Sequence, residues 1–131
     1  MSSNTPEALH RAWADRFNAG DLDGLMTLYE ADAIMIPEPG KVVSGLSAIR
    51  DVLAGFLSLK GRFELQFQVA HEAGGVALIF SRWILTASSD SGPIELKGQT
   101  SDVARRQPDG RLLMIVDNPF GAAAADAIQK T

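Results

Sequence analysis

At Gly61 the spacing of apolar residues changes from helical recurrence to strict alternation, and this switch sets the class of fold. Before it, Leu9, Trp13 and Phe17 recur at steps of four with Ala12 beside them. Leu22, Leu25, Met26 and Tyr29 mark one side of a shorter segment, and Leu46, Ile49, Val52, Leu53, Phe56 and Leu57 repeat with helical period. After it, Phe63, Leu65, Phe67 and Val69 alternate with Glu64, Gln66 and Gln68, which predicts a strand with one wet face. Val76 to Thr86 is apolar on both faces and reads as a central strand. Ile94 to Arg106 and Leu112 to Val116 complete four strands, joined at Gly74-Gly75, Ser88–Pro93 and Pro108-Asp109-Gly110.

Local signals fix the ends of the helices. Thr5-Pro6 pairs a hydroxyl cap with a proline at the first helical position, and Asn18-Ala19-Gly20 closes that helix. Asp21 caps the second, and the third starts near Ser44-Gly45. Ala33–Ile36 predicts a short strand. Pro37-Glu38-Pro39-Gly40 predicts a loop, because two prolines remove ladder donors. Segregated helices followed by an antiparallel meander predict an α+β fold, with three N-terminal helices packed on one face of a curved sheet. A single domain over residues 1–131 is expected, with its core over about 7–121, a frayed stretch at 1–5 and a peripheral tail at 122–131.

The absence of cysteine excludes disulfides, thiolate metal sites and thiol nucleophiles. A net charge of −4 disfavours nucleic acid and anionic membranes as partners. Met1 to Pro6 lacks the blocks of a signal peptide and no apolar run is long enough to span a membrane, so a cytoplasmic location is expected.

A curved sheet closed by helices has an open interior, and polar residues on its inward face are the candidates for chemistry. In the strand Ile94–Arg106 the even positions are the inward set, and they include Thr100 and Asp102. Burial disfavours the charged form of a carboxyl, so an inward Asp102 either stays protonated and donates a hydrogen bond or pairs structurally with Arg82 or a backbone N–H. Arg82 shares parity with Val76, Leu78 and Phe80, which allows an inward Arg82 beside Asp102. Glu38, held between two prolines, sits at the cavity rim or is an ordinary exposed loop glutamate. His10 is expected on a solvated flank of the first helix and His71 at an exposed strand end. Neither has a carboxylate at metal-ligand spacing, so no metal or cofactor is expected.

Asn18-Ala19-Gly20-Asp21-Leu22-Asp23-Gly24-Leu25, Leu28-Tyr29-Glu30-Ala31-Asp32-Ala33, Gly45-Leu46-Ser47-Ala48-Ile49-Arg50, Pro108-Asp109-Gly110-Arg111 and Asp117-Asn118-Pro119-Phe120-Gly121 together resemble the nuclear transport factor 2-like superfamily, closest to its SnoaL-like and ketosteroid-isomerase-like members. The resemblance implies a cystatin-like cone, a homodimer formed through the sheet and a small apolar carbonyl ligand. It implies a base at Glu38 and a protonated donor at Asp102. Trp13 stands where the family has a tyrosine. Trp13, Phe17, Phe56, Phe80, Arg82 and Thr100 are the expected substrate-binding residues. An isomerase, cyclase or lyase acting by carboxylate-mediated proton transfer is one reading. A non-catalytic ligand-binding or dimerisation domain is another. An epoxide hydrolase built on an inward Arg82, or a dehydratase, is a third.

Overall fold

The computed structural model describes residues 3–125. Three helices form where the caps require them: α1 (Pro6–Asn18), α2 (Leu22–Met26) and α3 (Leu46–Leu57). Thr5 Oγ1 accepts the N–H of Ala8 at 3.1 Å, and Asp21 Oδ1 accepts that of Gly24 at 2.9 Å. Each bond satisfies an amide that the first helical turn leaves without a partner.

Seven strands form one sheet, the first two of them before α3: β1 (Tyr29–Glu38), β2 (Lys41–Ser44), β3 (Arg62–Ala73), β4 (Val76–Ser89), β5 (Gly92–Gln99), β6 (Asp102–Arg106) and β7 (Leu112–Asp117). Their order is β2-β1-β7-β6-β4-β3, with β5 paired to the far half of β4. All pairs are antiparallel except β1 with β7. The helices cover one face, and the core is formed there by Leu9, Leu25, Leu28, Ile49, Leu53, Ile79 and Leu112. The fold is therefore α+β, with three helices on a curved, mostly antiparallel sheet. No helix among the described residues is long and apolar enough to cross a membrane.

Four local expectations change. The short strand at Ala33–Ile36 extends over Tyr29–Glu38 and takes in Pro37 and Glu38, which the sequence placed in a loop. Proline is accommodated because the pairing with β7 ends at Met35↔Asp117 and the register with β2 is irregular between Met35 and Glu38, so no ladder bond needs its N–H. β2 itself was not expected. The third strand divides at Thr100, whose hydroxyl donates to the Ile79 carbonyl and accepts from the Ser81 amide, both at 3.0 Å, in place of regular pairing. The inward parity nevertheless carries through, and Thr100, Asp102 and Ala104 are all buried. Residues Ser3 and Asn4 are tied down rather than frayed: the Ser3 carbonyl accepts from the Leu112 amide at 2.8 Å and the Asn4 carbonyl from Arg106 at 3.0 Å. Of the expected tail, Gly121–Ala125 forms a single 3-10 turn, and residues 126–131 lie outside the described residues.

Two bulges reset the facing of side chains. Phe67 pairs with Ser81 and Val69 with Phe80, so Gln68 is an extra residue in β3. Beyond it Val69 and His71 turn outward. Val116 pairs with Val103 and Met114 with Ala104, so Ile115 is extra in β7. Beyond it Asp117 turns inward, where strict alternation from Leu112 would have put Val116.

Gly98 lets β5 close on the cavity wall. A Cβ there would lie 2.7 Å from the Pro119 carbonyl oxygen and 3.0 Å from the Trp83 ring. Gly98→Ala is expected to lower stability by about 1–3 kcal/mol, the usual effect of overpacking. Urea denaturation checks the loss, and a shifted tryptophan emission locates it.

Candidate functional site

Between the helices and the sheet lies a cavity of about 400 Å³. Helix α1 contributes His10, Trp13 and Phe17, and α3 contributes Leu53 and Phe56. The sheet contributes Phe63, Leu65, Trp83 and Leu85. The β1–β2 hairpin brings Pro37, Glu38 and Pro39 to the mouth, and Thr100, Asp102 and Asp117 lie on the walls. No lysine or arginine is among the lining residues that are described.

The aromatic side chains form a continuous surface. Trp13 stacks on Phe17 with ring centroids 5.2 Å apart, and Phe63 stacks on Trp83 at 5.7 Å. Trp13 and Phe63 meet at 4.8 Å with tilted planes, which joins the two stacks. The Trp83 indole N–H donates to the Pro119 carbonyl at 2.7 Å and fixes that ring.

Two polar chains cross this apolar lining. In the first, the Trp13 indole N–H donates to the Tyr29 hydroxyl at 2.9 Å, and that hydroxyl donates to Asp117 Oδ2 at 2.5 Å. In the second, His10 Nδ1 lies 2.7 Å from Ser81 Oγ, and His10 Nε2 lies 2.8 Å from Asp102 Oδ2. Asp102 Oδ1 accepts the Asn118 amide at 2.7 Å. The Nε2 to Oδ2 approach has the length of an ion pair, yet the N–H direction misses the oxygen, and Nε2 has no hydrogen-bond partner among the described residues.

The two carboxyls are neighbours. Val103 pairs with Val116, so continuing the register by one residue sets Asp102 beside Asp117 on the inward face. Burial above all, and then the charge of Asp102, push the Asp117 carboxyl up to about 8, against the lowering effect of the bond from Tyr29. Tyr29 is itself pushed well above the ordinary phenol value, first by burial and then by the Asp117 charge. Burial and the neighbouring charge both favour the protonated form of Asp117. Tyr29 serves Oδ2, and the cavity is the remaining direction for Oδ1.

Of the residues singled out in the sequence, Trp13, Phe17, Glu38, Phe56, Thr100 and Asp102 line this cavity. Phe80 and Arg82 do not. The buried set in β4 is Ala77, Ile79, Ser81, Trp83 and Leu85, so the even residues face the other side of the sheet. Arg82 is exposed in a shallow groove with Gln66 and Lys97 and forms no ion pair among the described residues. Of the two structural partners expected for Asp102, Arg82 is on the other face, while a backbone N–H, that of Asn118, does bond it, and His10 lies against its other oxygen. His10 is buried rather than solvated, at 4% exposure.

His10, Tyr29, Ser81 and Asp117 were not singled out as site residues. A signal existed for His10, because positions 10, 14 and 17 share a helix face and all three are buried. Asp117 was hidden by the bulge at Ile115.

Residues 10–113 match the family of SnoaL-like domains. Solved structures with the same architecture include an NTF-2 like protein of unknown function from Shewanella oneidensis, at 18% identity and TM-score 0.69, covering 82% of this chain and 89% of that one. A conserved protein from Planctomyces limnophilus is 16% identical with a TM-score of 0.74, over 84% and 88% of the two chains. The CaMKII hub of S. rosetta is 15% identical with a TM-score of 0.68, over 88% and 92%. At these identities the likeness is one of fold.

Two outcomes follow from the carboxyl pair. Asp117 holds its proton more tightly when folded than when unfolded. Its contribution to stability is therefore greatest below the ordinary value of 3.8, declines as pH rises toward about 8 and is level above that. Asp117→Asn removes this decline, which urea denaturation across the interval measures. Tyr29→Phe deletes a hydrogen bond that favours the ionised carboxyl, so the Asp117 titration moves above about 8, as carbon NMR of the carboxyl reports.

Proposed function

The chain belongs to the family of SnoaL-like domains, and from that premise we propose that its cavity binds a small, uncharged, largely apolar carbonyl compound and moves a proton beside the carbonyl. The reaction is of the isomerase or cyclase type. The observation that carries this reading is the buried Asp117 carboxyl beside Asp102 on the wall of an aromatic cavity, where burial and the neighbouring charge favour its protonated form. A neutral carboxyl donates a hydrogen bond to a carbonyl oxygen. That bond strengthens as negative charge develops on the oxygen, so it favours the enolate-like transition state over the bound ketone.

The donor role that the family resemblance gives to Asp102 passes to Asp117 in this proposal. Asp102 already accepts from the Asn118 amide and lies against His10. Trp13 supports the donor without touching the ligand oxygen, because its N–H is given to Tyr29. Glu38, at the mouth of the same cavity, is the base; a placed base is worth about 10²–10⁴ in rate. Among the described residues no lysine or arginine lines the cavity, which supports an uncharged ligand.

Trp13 and Trp83 both line the cavity, so tryptophan fluorescence reports occupancy. A flat neutral ketone with an acidic C–H, such as 2-tetralone, is expected to quench it near neutral pH. Quenching should weaken as pH passes about 8, where Asp117 ionises. Asp117→Leu, which removes the donor, should weaken binding, and Glu38→Gln should slow exchange of the ketone's α-hydrogens in deuterated buffer by about 10²–10⁴. Unchanged binding and exchange in both variants would sink the catalytic reading.

A second reading, a binding or dimerisation domain, draws on the far side of the sheet. Val69, Val76, Leu78 and Ile84 are exposed there, between 36% and 43%. A two-fold pairing of two such sheets buries this apolar surface. Sedimentation should show a dimer that Leu78→Lys dissociates, while ketone binding persists.

A further inference from the structure

The outer face of the sheet carries an ordered set of charges. Phe63, Leu65 and Leu96 line the cavity, so Arg62, Glu64, Glu95 and Lys97, which alternate with them, face the other side of the sheet. All four are exposed, and among the described residues none forms an ion pair. The register sets them around β4. Glu64 and Lys97 flank Ile84 from its two sides, and Arg62 and Glu95 flank Thr86, the next residue of β4 on the same face. The opposite charges of each row stand two strand spacings apart, about 10 Å, with a β4 side chain between them.

Each row holds one charge of each sign, and the order reverses from one row to the next. The four charges sum to zero, so an acidic or a basic partner meets as much repulsion as attraction. A copy of the same face does not. When a second copy is turned over about a two-fold axis lying along β4, its β5 falls over β3. Glu64 then meets the partner's Lys97, Arg62 meets the partner's Glu95, and the symmetry repeats both contacts. Leu78 and Ile84, 39% and 38% exposed, lie on the axis and stack on their own copies. Arg82 lies on the axis as well, and its meeting with its own copy is the one like-charge contact against four of opposite sign.

We propose that a second copy of this chain pairs on the outer face with the two-fold axis along β4, and that Arg62, Glu64, Glu95 and Lys97 fix that axis and select a like copy as the partner. This rests on the dimer reading given above and deepens it by naming the contacts. The apolar side chains supply the buried surface, and the charges supply orientation and choice of partner.

Sedimentation equilibrium of the full chain tests the pairing. At low salt Glu64→Lys and Lys97→Glu should each weaken self-association about tenfold or more, because the symmetry makes every reversal turn two attractions into repulsions. Mixed in equal amounts, the two variants should form a heterodimer about as tight as the unsubstituted dimer, since each supplies the charges that the other lacks. Arg82→Gln should tighten the dimer. High salt should narrow all these differences. Unchanged tryptophan emission shows that each variant is folded.

A dimer that Leu78→Lys dissociates but the charge reversals leave unchanged overturns this inference and spares the dimer reading. So does a mixture no tighter than its components, the outcome of an axis across the strands, where Glu64 meets the partner's Arg62. A looser dimer in Arg82→Gln moves Arg82 off the axis and overturns the inference in the same way. A chain that stays monomeric at every salt concentration removes the dimer reading and this inference with it.

Discussion

Two carboxyl groups side by side on the wall of an apolar cavity oppose each other's ionisation, and unequal hydrogen bonding sets Asp102 and Asp117 apart. Asp102 has a backbone amide bonded to Oδ1 and an imidazole packed against Oδ2. Asp117 has a single phenolic donor, and it is more strongly affected by its neighbour's charge than relieved by that donor. An unequal distribution of hydrogen bonds thus turns two identical side chains into an acceptor and a donor. Every chemical property assigned to the cavity depends on that inequality.

The inequality is built from backbone irregularities. Without the extra residue Ile115, Asp117 would face outward and Asp102 would have no partner to bias. Without the break at Thr100, β5 and β6 would run as one straight strand. The Thr100 hydroxyl replaces two ladder contacts at this junction, and the Ser101 amide turns to the Asn118 carbonyl at 2.9 Å. The same turn presents the Asn118 amide to Asp102. Bulges and strand breaks relax the regular ladder, and here both occur beside the acidic pair.

These irregularities also explain which features were legible in the sequence. Helices α1 and α3 and the wet-faced start of β3 were readable, because each has an unbroken apolar period and a recognisable cap or turn. Asp102 was readable because the break at Thr100 preserves parity. Asp117 and the outward turn of Val69 were not, because a one-residue bulge inverts facing without changing composition. Arg82 and Phe80 were misplaced for a different reason. β4 carries apolar side chains on both faces, since one packs under the helices and the other forms the outer surface, so alternation alone had no preferred side. His10 was set aside because a charged-type residue beside an apolar stripe is usually solvated. Only the long-range partners Ser81 and Asp102, 71 and 92 positions away in the chain, make its burial favourable.

The aromatic lining is as necessary to this chemistry as the acids. A carboxyl keeps its proton near neutral pH only where water is scarce, and Trp13, Phe17, Phe63 and Trp83 supply that scarcity. The stacked rings are held by the same groups they shield. Trp13 is anchored through Tyr29 to Asp117, and Trp83 through Pro119 to the segment that follows β7. Displacing an indole would admit water, lower the Asp117 titration and loosen the bond that held the indole. The low local polarity and the neutral acid therefore sustain each other, and a cavity so arranged retains its donor only for a ligand that brings no charge of its own.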